Sequence, residues 1–306
     1  MPPTVQSRHT HPATPYALLA LPALLLLLFL VWPALHALWM STHDYTQLYQ
    51  PQWVGWANYN TLLHLPQFTG ALIHTAWLVL VVVPALVTLP LVLALVLNQR
   101  LWGIELLRAV IYLPVITSLV VVGITWKWLM ASNGLLNQWL TQAGWPAVGW
   151  LTDPNVVMLS LALVVIWKAL PYYAMMYLAQ LQSLAKHHYE AAELDGANLI
   201  QQHCYITLPL MQPTMVLVGL ISLIGALKTF TEIYVMTRGG PLHASETLVY
   251  VVYQWAFERL DLGLASAAGL VLALLLITFS LVQLIASRTA EAAQAGAETT
   301  PPPLVG

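Results

Sequence analysis

Residues 190–209 read EAAELDGANLIQQHCYITLP, a polar and partly acidic stretch in a chain of 306 residues that is 59% hydrophobic. Glu190, Glu193 and Asp195 fall close together here, between long runs rich in Leu and Val. Asp, Glu, Lys and Arg together make up only 7% of the chain. Soluble domains carry about 25%, so the setting of this acidic cluster is a bilayer. A formal net charge of −2 gives no reason to expect nucleic acid as a partner. The single Cys204 excludes an intrachain disulfide framework and any multi-cysteine zinc site, and reads as a small apolar residue.

A membrane-crossing helix needs about 20 mostly apolar residues. Six stretches meet that length, roughly 17–40, 71–97, 109–130, 156–181, 205–228 and 262–287. None alternates as a membrane β-strand would, and backbone satisfaction in lipid leaves helices. The expected fold is therefore an all-α integral membrane protein of six transmembrane helices. Pro22, Pro33, Pro84, Pro90, Pro114 and Pro171 fall inside these spans. They fit either kinked helices around a pathway or plain bent packing. Residues 1–16 are expected to be a short N-terminal tail, 17–288 the membrane domain, and 289–306 a disordered, proline-ended tail. The first Leu-rich run is too long for a signal-peptide core and lacks a small-residue cleavage pattern, so it reads as a retained span.

Lys and Arg in the short loops set the orientation. Loops 41–70 and 131–155 contain neither, whereas Arg8, Arg100, Arg108, Lys186 and Arg288 share one side if six spans alternate. That side is cytoplasmic, which places both termini and the opening stretch inside. Loop 229–261 dissents with Arg238 and Arg259, offset by Glu232, Glu246, Glu258 and Asp261. Trp53, Trp56, Tyr59, Trp139, Trp145 and Trp150 in the outer loops suit a membrane boundary. Within 246–260, Leu248, Val251, Val252 and Trp255 share a helical face, with Gln254, Glu258 and Asp261 opposite. This predicts a helix at the outer surface or at the mouth of a cavity. The preceding RGGPLHAS is a turn.

On the inner side, SLAKHHYEAAELD is rich in helix formers, and Asp195-Gly196 supplies a break where positive φ is inexpensive. ANLIQQHCYITL can then resume as a helix entering the membrane near Pro209. The result is a short surface helix, a turn and a second helix at an angle, presenting small residues and acids. Taken alone, such an element also fits a solvated amphipathic linker. His187, His188 and Glu190 do not make a metal site, because adjacent histidines point to different sides of a helix.

The pattern EAA, then Gly196, nine residues, and I-x-L-P at Ile206, Leu208 and Pro209 resembles the signature of permease subunits of ATP-binding-cassette importers. The fuller form, running to Pro213, is similar to the carbohydrate branch, the relatives of maltose, lactose and glycerol-phosphate permeases. WVGWANY (53–59), WKWLM…NGLLNQWL (126–140), IWKALPYYAMMYLAQLQSL (166–184) and IYVMTRGGPLHASETLVYVVYQWAF (233–257) extend the resemblance over nearly the whole chain. It implies a type I importer permease fold in a bacterial inner membrane, and a coupling loop at about 182–208 seated in a cleft of a separate ATPase. Glu190 would make a charge-assisted contact there, Ala191 and Ala192 would allow close approach, and Asp195, Gly196 and Ala197 would form the turn. The implied partners are a second permease, two copies of the ATPase, an extracytoplasmic solute-binding protein and membrane lipid. Ala185 replaces a usual proline, His203 a usual aromatic residue, and His187-His188 a usual Glu-Leu.

Lys168 lies near the middle of the fourth expected span, and a charge there marks a functional site by default. It is read as an inward-facing ion-pair partner or pathway residue. Lys127, near a span end, either snorkels outward or faces inward. Lys228 and Glu232 are four apart and could pair. Sugars take aromatic faces together with hydrogen-bonding groups, so Tyr172, Tyr173, Tyr177, Lys228, Glu232, Tyr234 and Gln254 join Lys168 as pathway candidates. In relatives the fifth span and its surroundings line the solute path.

The chain lacks G-x-x-x-x-G-K-[ST], so ATP and Mg belong to a partner and no cofactor is expected on this chain. The expected role is a non-catalytic permease subunit for a sugar or sugar derivative, the alternative being a non-sugar solute such as glycerol phosphate or a compatible solute. An intramembrane enzyme is a poorer fit, since H-E-x-x-H is absent and no acid pair sits within a span. A secondary transporter would show inverted repeats and deep acids, and neither is evident.

Overall fold

A computed structural model of the chain describes residues 14–45, 51–99 and 102–298. Helix α1 (Thr14–Leu26) widens into a π-helical turn, Leu27–Val31, before α2 (Trp32–Ser41). Pro33 has no N–H for the carbonyl four residues back, and the widened turn ends two residues before it. Two short antiparallel strands follow, β1 (His43–Asp44) and β2 (Gln52–Trp53), with His43 opposite Trp53. Next come α3 (Ala57–His64) and the long α4 (Pro66–Leu97), which opens on a proline where the missing donor costs nothing.

The third expected span departs from the sequence reading of a single helix over 109–130. It is built of α5 (Ile104–Ile116) and α6 (Leu119–Leu129), bent by 97° at the intervening residues. Pro114 removes a donor in the last turn of α5, and Thr117 and Ser118 are extended, with ψ of 140° and 134°. Counting the bent pair as one, six segments among the described residues are long and apolar enough to cross a membrane, and the other five lack such a bend.

Helix α7 (Leu135–Gln142) precedes α8 (Val157–Ser183), α9 (His187–Leu194) and α10 (Leu199–Gln202). A second π-helical turn, His203–Thr207, leads into α11 (Leu208–Leu227), again just ahead of a proline, Pro209. Then come α12 (Thr231–Met236), α13 (Leu248–Tyr253) with a third π-helical turn at Gln254–Glu258, and α14 (Leu262–Glu298). The backbone thus stays helical ten residues past 288, where a disordered tail was expected. The Ala-rich sequence there favours helix. Residues 1–13 and 299–306 of the two expected tails lie outside the described residues.

The main core lies where α4 packs along α8 and α11, burying Leu78, Val82, Leu86, Leu161, Val164, Met211 and Val218. Tyr177 Oη on α8 donates to Val87 O on α4 at 3.0 Å, three residues before Pro90. A smaller cluster joins Leu62 of α3 and Phe68 of α4 to Leu248, Val251 and Trp255, with Ala267 and Ala268 of α14. The apolar face expected for 246–260 is therefore docked into the fold: Trp255 is fully buried beside Phe68, while Glu258 on the other face is exposed. The turn before it places Gly239 at φ +79°, where a Cβ would fall 2.7 Å from Glu246 Cγ and Tyr250 Cε1.

Candidate functional site

Two regions collect the sequence-derived candidates. In the first, α9 carries the EAA residues. Glu190 sits in its first turn, where a carboxylate suits the positive end of the helix. Glu190, Ala191, Asp195 and Gly196 are exposed, and Ala192 and Ala197 half-buried. Among the described residues none of Glu190, Glu193 and Asp195 forms an ion pair.

The helix stops by a Schellman motif. Ala197 N donates to Ala192 O at 2.9 Å and Gly196 N to Glu193 O at 3.1 Å, with Gly196 at φ +81°. The next helix starts at once. Asn198 Oδ1 accepts from Gln201 N at 2.9 Å, and Gln201 Oε1 accepts from Asn198 N at 2.8 Å, a reciprocal capping box. A helix stop and a helix start thus abut with only Ala197 between them.

A side-chain cluster ties this unit to the fifth span. Buried Thr207 Oγ1 lies 3.0 Å from Tyr189 Oη on α9 and 3.1 Å from His203 Nδ1, and Gln202 Nε2 donates to Ala197 O at 3.2 Å. His203, which departs from the usual aromatic residue, is one corner of that tie. Leu194, Leu199 and Ile200 are 90%, 72% and 74% exposed. The unit therefore presents an apolar patch beside its unpaired acids. His187 and His188 are exposed with ring centroids 4.1 Å apart, and among the described residues no group of His, Cys, Asp and Glu is arranged to hold a metal. Sequence reasoning missed Asn198, Gln201, Tyr189 and Thr207. The N-x-x-Q spacing of the capping box was legible in the sequence; the tie spanning 18 residues was not.

The second region is a cavity of about 370 Å³ among α4, α8, α11 and the α5–α6 break. Of the eight pathway candidates carried from the sequence, Lys168, Tyr173, Lys228 and Glu232 line it. The ammonium of Lys168 donates to Pro114 O, to Val115 O at 3.0 Å and to Thr117 O at 2.8 Å. Helix α5 ends with carbonyls that have no intrahelical partner, and Lys168 takes them up at the bend. An ammonium has three donors, so these acceptors engage all of them. Glu232 is 7% exposed, and among the described residues it forms no ion pair with Lys168 or Lys228. The cavity therefore presents a buried carboxylate beside Thr117, Tyr173 and the ring of Phe230.

The other candidates lie elsewhere. Tyr172 is exposed and is not among the lining residues. Tyr234 stacks on Phe230, centroids 5.4 Å apart, and meets Tyr253 edge-on. Gln254 accepts from Gln67 Nε2 at 2.9 Å, and the same nitrogen donates to the buried carboxylate of Glu246 at 2.9 Å. His74 bonds the backbone oxygen of Glu246, and His243 its Oε1 at 2.8 Å. This polar knot fixes the turn ahead of α13. Lys127 reaches Val235 O at 3.3 Å, linking α6 to α12.

Residues 72–291 match the family described as binding-protein-dependent transport system inner membrane component. The chain is 34% identical over 278 residues to the probable ABC transporter permease protein YurN of Bacillus subtilis, covering 88% of this chain and 94% of that one. It is 32% identical over 274 residues to the trehalose/maltose transport system permease protein MalF of Thermococcus litoralis, covering 89% and 92%. Its fold is similar to a chain of the bacterial alginate ABC transporter, solved in complex with an alginate pentasaccharide-bound periplasmic protein. That match has a TM-score of 0.78 at 26% identity and covers 90% of this chain and 93% of the other.

Proposed function

The chain belongs to the family of inner membrane components of binding-protein-dependent transport systems, and from that premise we propose that it is one permease subunit of an ATP-driven importer for a sugar or sugar derivative. The observation that carries the coupling assignment is the Schellman-to-capping-box joint, which holds Glu190 outward and links α9 to the fifth span. Unpaired Glu190, Glu193 and Asp195 next to exposed Leu194, Leu199 and Ile200 suit a protein partner with basic groups and an apolar cleft. In this reading the partner is an ATPase present in two copies, which binds ATP and Mg. It pulls on α9, and the tie through Tyr189 and Thr207 passes that displacement to α11.

The chain itself hydrolyses nothing; it supplies half of a path whose other half is a second permease. Both termini and the coupling unit lie in the cytoplasm, and the outer turn faces the solute-binding protein. The names of the relatives support the sugar class. The chemistry of the cavity agrees, since a buried carboxylate, hydroxyls and an aromatic ring match the donors and C–H faces of a pyranose.

Co-purification with the ATPase and measurement of ATP turnover in lipid tests this reading. Glu190→Ala combined with Gly196→Pro is expected to abolish solute-stimulated turnover and uptake. Unchanged turnover and uptake in that double variant would sink the coupling assignment.

A further inference from the structure

Phe230, which lines the Glu232 cavity, begins a ladder of aromatic rings that leads away from it. Its ring centroid lies 5.4 Å from that of Tyr234 on α12 and 5.0 Å from that of Tyr253 at the end of α13. Tyr234 meets Tyr253 edge-on at 5.4 Å, and Tyr253 lies 5.2 Å from Phe257 in the π-helical turn. Two pairs of rings, each spaced four residues apart in sequence, thus face one another across neighbouring elements. Exposure rises along the ladder. Phe230, Tyr234 and Tyr253 are half-buried, and Phe257 is 71% exposed.

The end of the ladder away from the cavity is not explained by core packing. Helix α13 and its π-helical turn dock through Leu248, Val251 and Trp255. Among the described residues, Tyr253 and Phe257 belong neither to the two buried clusters nor to the partly buried residues packed against them. The widened turn therefore anchors Trp255 on one side and holds a ring open on the other, and such turns recur at functional sites. Each end of the ladder also has a carboxylate that forms no ion pair among the described residues. One is buried Glu232 in the cavity; the other is exposed Glu258, next to Phe257, whose charge reaches Tyr253. The negative face of an aromatic ring suits the C–H groups of a pyranose, and carboxylates accept from its hydroxyls.

On the basis of the sugar-permease reading, which this deepens, we propose that Phe230, Tyr234, Tyr253 and Phe257 are stacking subsites along which successive sugar rings pass between the face carrying Phe257 and the Glu232 cavity. Solute contacts then extend beyond the cavity, and a longer oligosaccharide gains contacts that a disaccharide lacks.

The test is saturation-transfer NMR on the full chain in phospholipid nanodiscs, free of glycosidic detergent. The probes are maltose and maltotetraose, and the β-linked pair cellobiose and cellotetraose. In one pair at least, the tetrasaccharide is expected to bind about fivefold more tightly than the disaccharide. Phe257→Leu keeps an exposed apolar side chain but loses the ring; it should abolish that preference at an unchanged unfolding midpoint, and Phe257→Trp should restore it. Tyr253→Leu should abolish it as well. Equal binding of both lengths by the wild type, or a preference that survives Phe257→Leu and Tyr253→Leu, would overturn the track while leaving the permease reading intact. That reading fails separately, if Glu190→Ala with Gly196→Pro leaves ATP turnover and uptake unchanged. Choline is the control for a cation, which aromatic rings and carboxylates also attract. Displacement of the tetrasaccharide by choline would reassign the rings to a quaternary ammonium solute and equally overturn the proposal.

Discussion

Replacing Lys168 with methionine keeps the length and packing of the side chain but leaves the carbonyls of Pro114, Val115 and Thr117 without their cation. A hydrogen bond to a charged group contributes about 1.5–3 kcal/mol. Three bonds to one ammonium do not add independently. Freeing the lysine returns up to about 2 kcal/mol of side-chain entropy, and water in the adjoining cavity can reach some of the exposed oxygens. The net cost is expected at roughly 3 kcal/mol, concentrated at the α5–α6 bend. Chemical unfolding of the purified chain in detergent measures the stability. Uptake into vesicles by the assembled importer, at varied solute concentration, measures KM and the maximal rate. A bend-holding lysine predicts lower stability and a lower maximal rate with KM little changed. Full stability together with a raised KM would mean that Lys168 contacts solute, and the argument from its three acceptors would be wrong.

Other perturbations reach different parts of the molecule. Gly196→Ala meets no atom within 4 Å of its new Cβ but must hold φ near +81°, so it should cost about 1–2 kcal/mol and reduce solute-stimulated ATP turnover, with Gly196→Asn milder. Tyr189→Phe removes one hydrogen bond to Thr207, about 1 kcal/mol, and should loosen coupling more than it lowers the unfolding midpoint, as turnover per solute imported would report. Glu232→Gln keeps the shape of the cavity while removing its charge, and should raise the KM for uptake; an unchanged KM would remove Glu232 from the path. Gly239→Ala combines positive φ with a Cβ 2.7 Å from Glu246 and Tyr250, and should lower stability by about 3 kcal/mol in a thermal unfolding measurement.

The membrane class was legible because the length and hydropathy of each span are local properties, and five of the six emerged without a sharp bend. The third was not, although its sequence carries Pro114. Proline inside a span is tolerated in many geometries, and the 97° bend depends on a lysine 54 residues away to receive the freed carbonyls. The same distance effect explains Lys168. Its depth marked it as engaged, but the identity of its partners required the fold. At the proposed coupling unit, Gly196 as a stop followed from residue chemistry, whereas the tie through Tyr189, His203 and Thr207 joins groups with no sequence pattern. Gln254 is a further case. Polarity near the expected path drew attention to it, but its hydrogen bond to Gln67 in the knot ahead of α13 could only be read from the fold.

The abutment of a helix stop and a helix start around Ala197 leaves the joint without slack. From Leu199 the chain stays helical through the π-helical turn into α11, so the direction of Glu190 is phased to the fifth span as a key is to its shaft. One residue added after Ala197 would separate the helix stop from the helix start and re-aim α9 relative to α11, turning the acid away from its proposed socket. Variation in length should therefore be far less tolerated at 195–198 than variation in side chain. A torque applied at α9 would reach the membrane rather than being absorbed on the way.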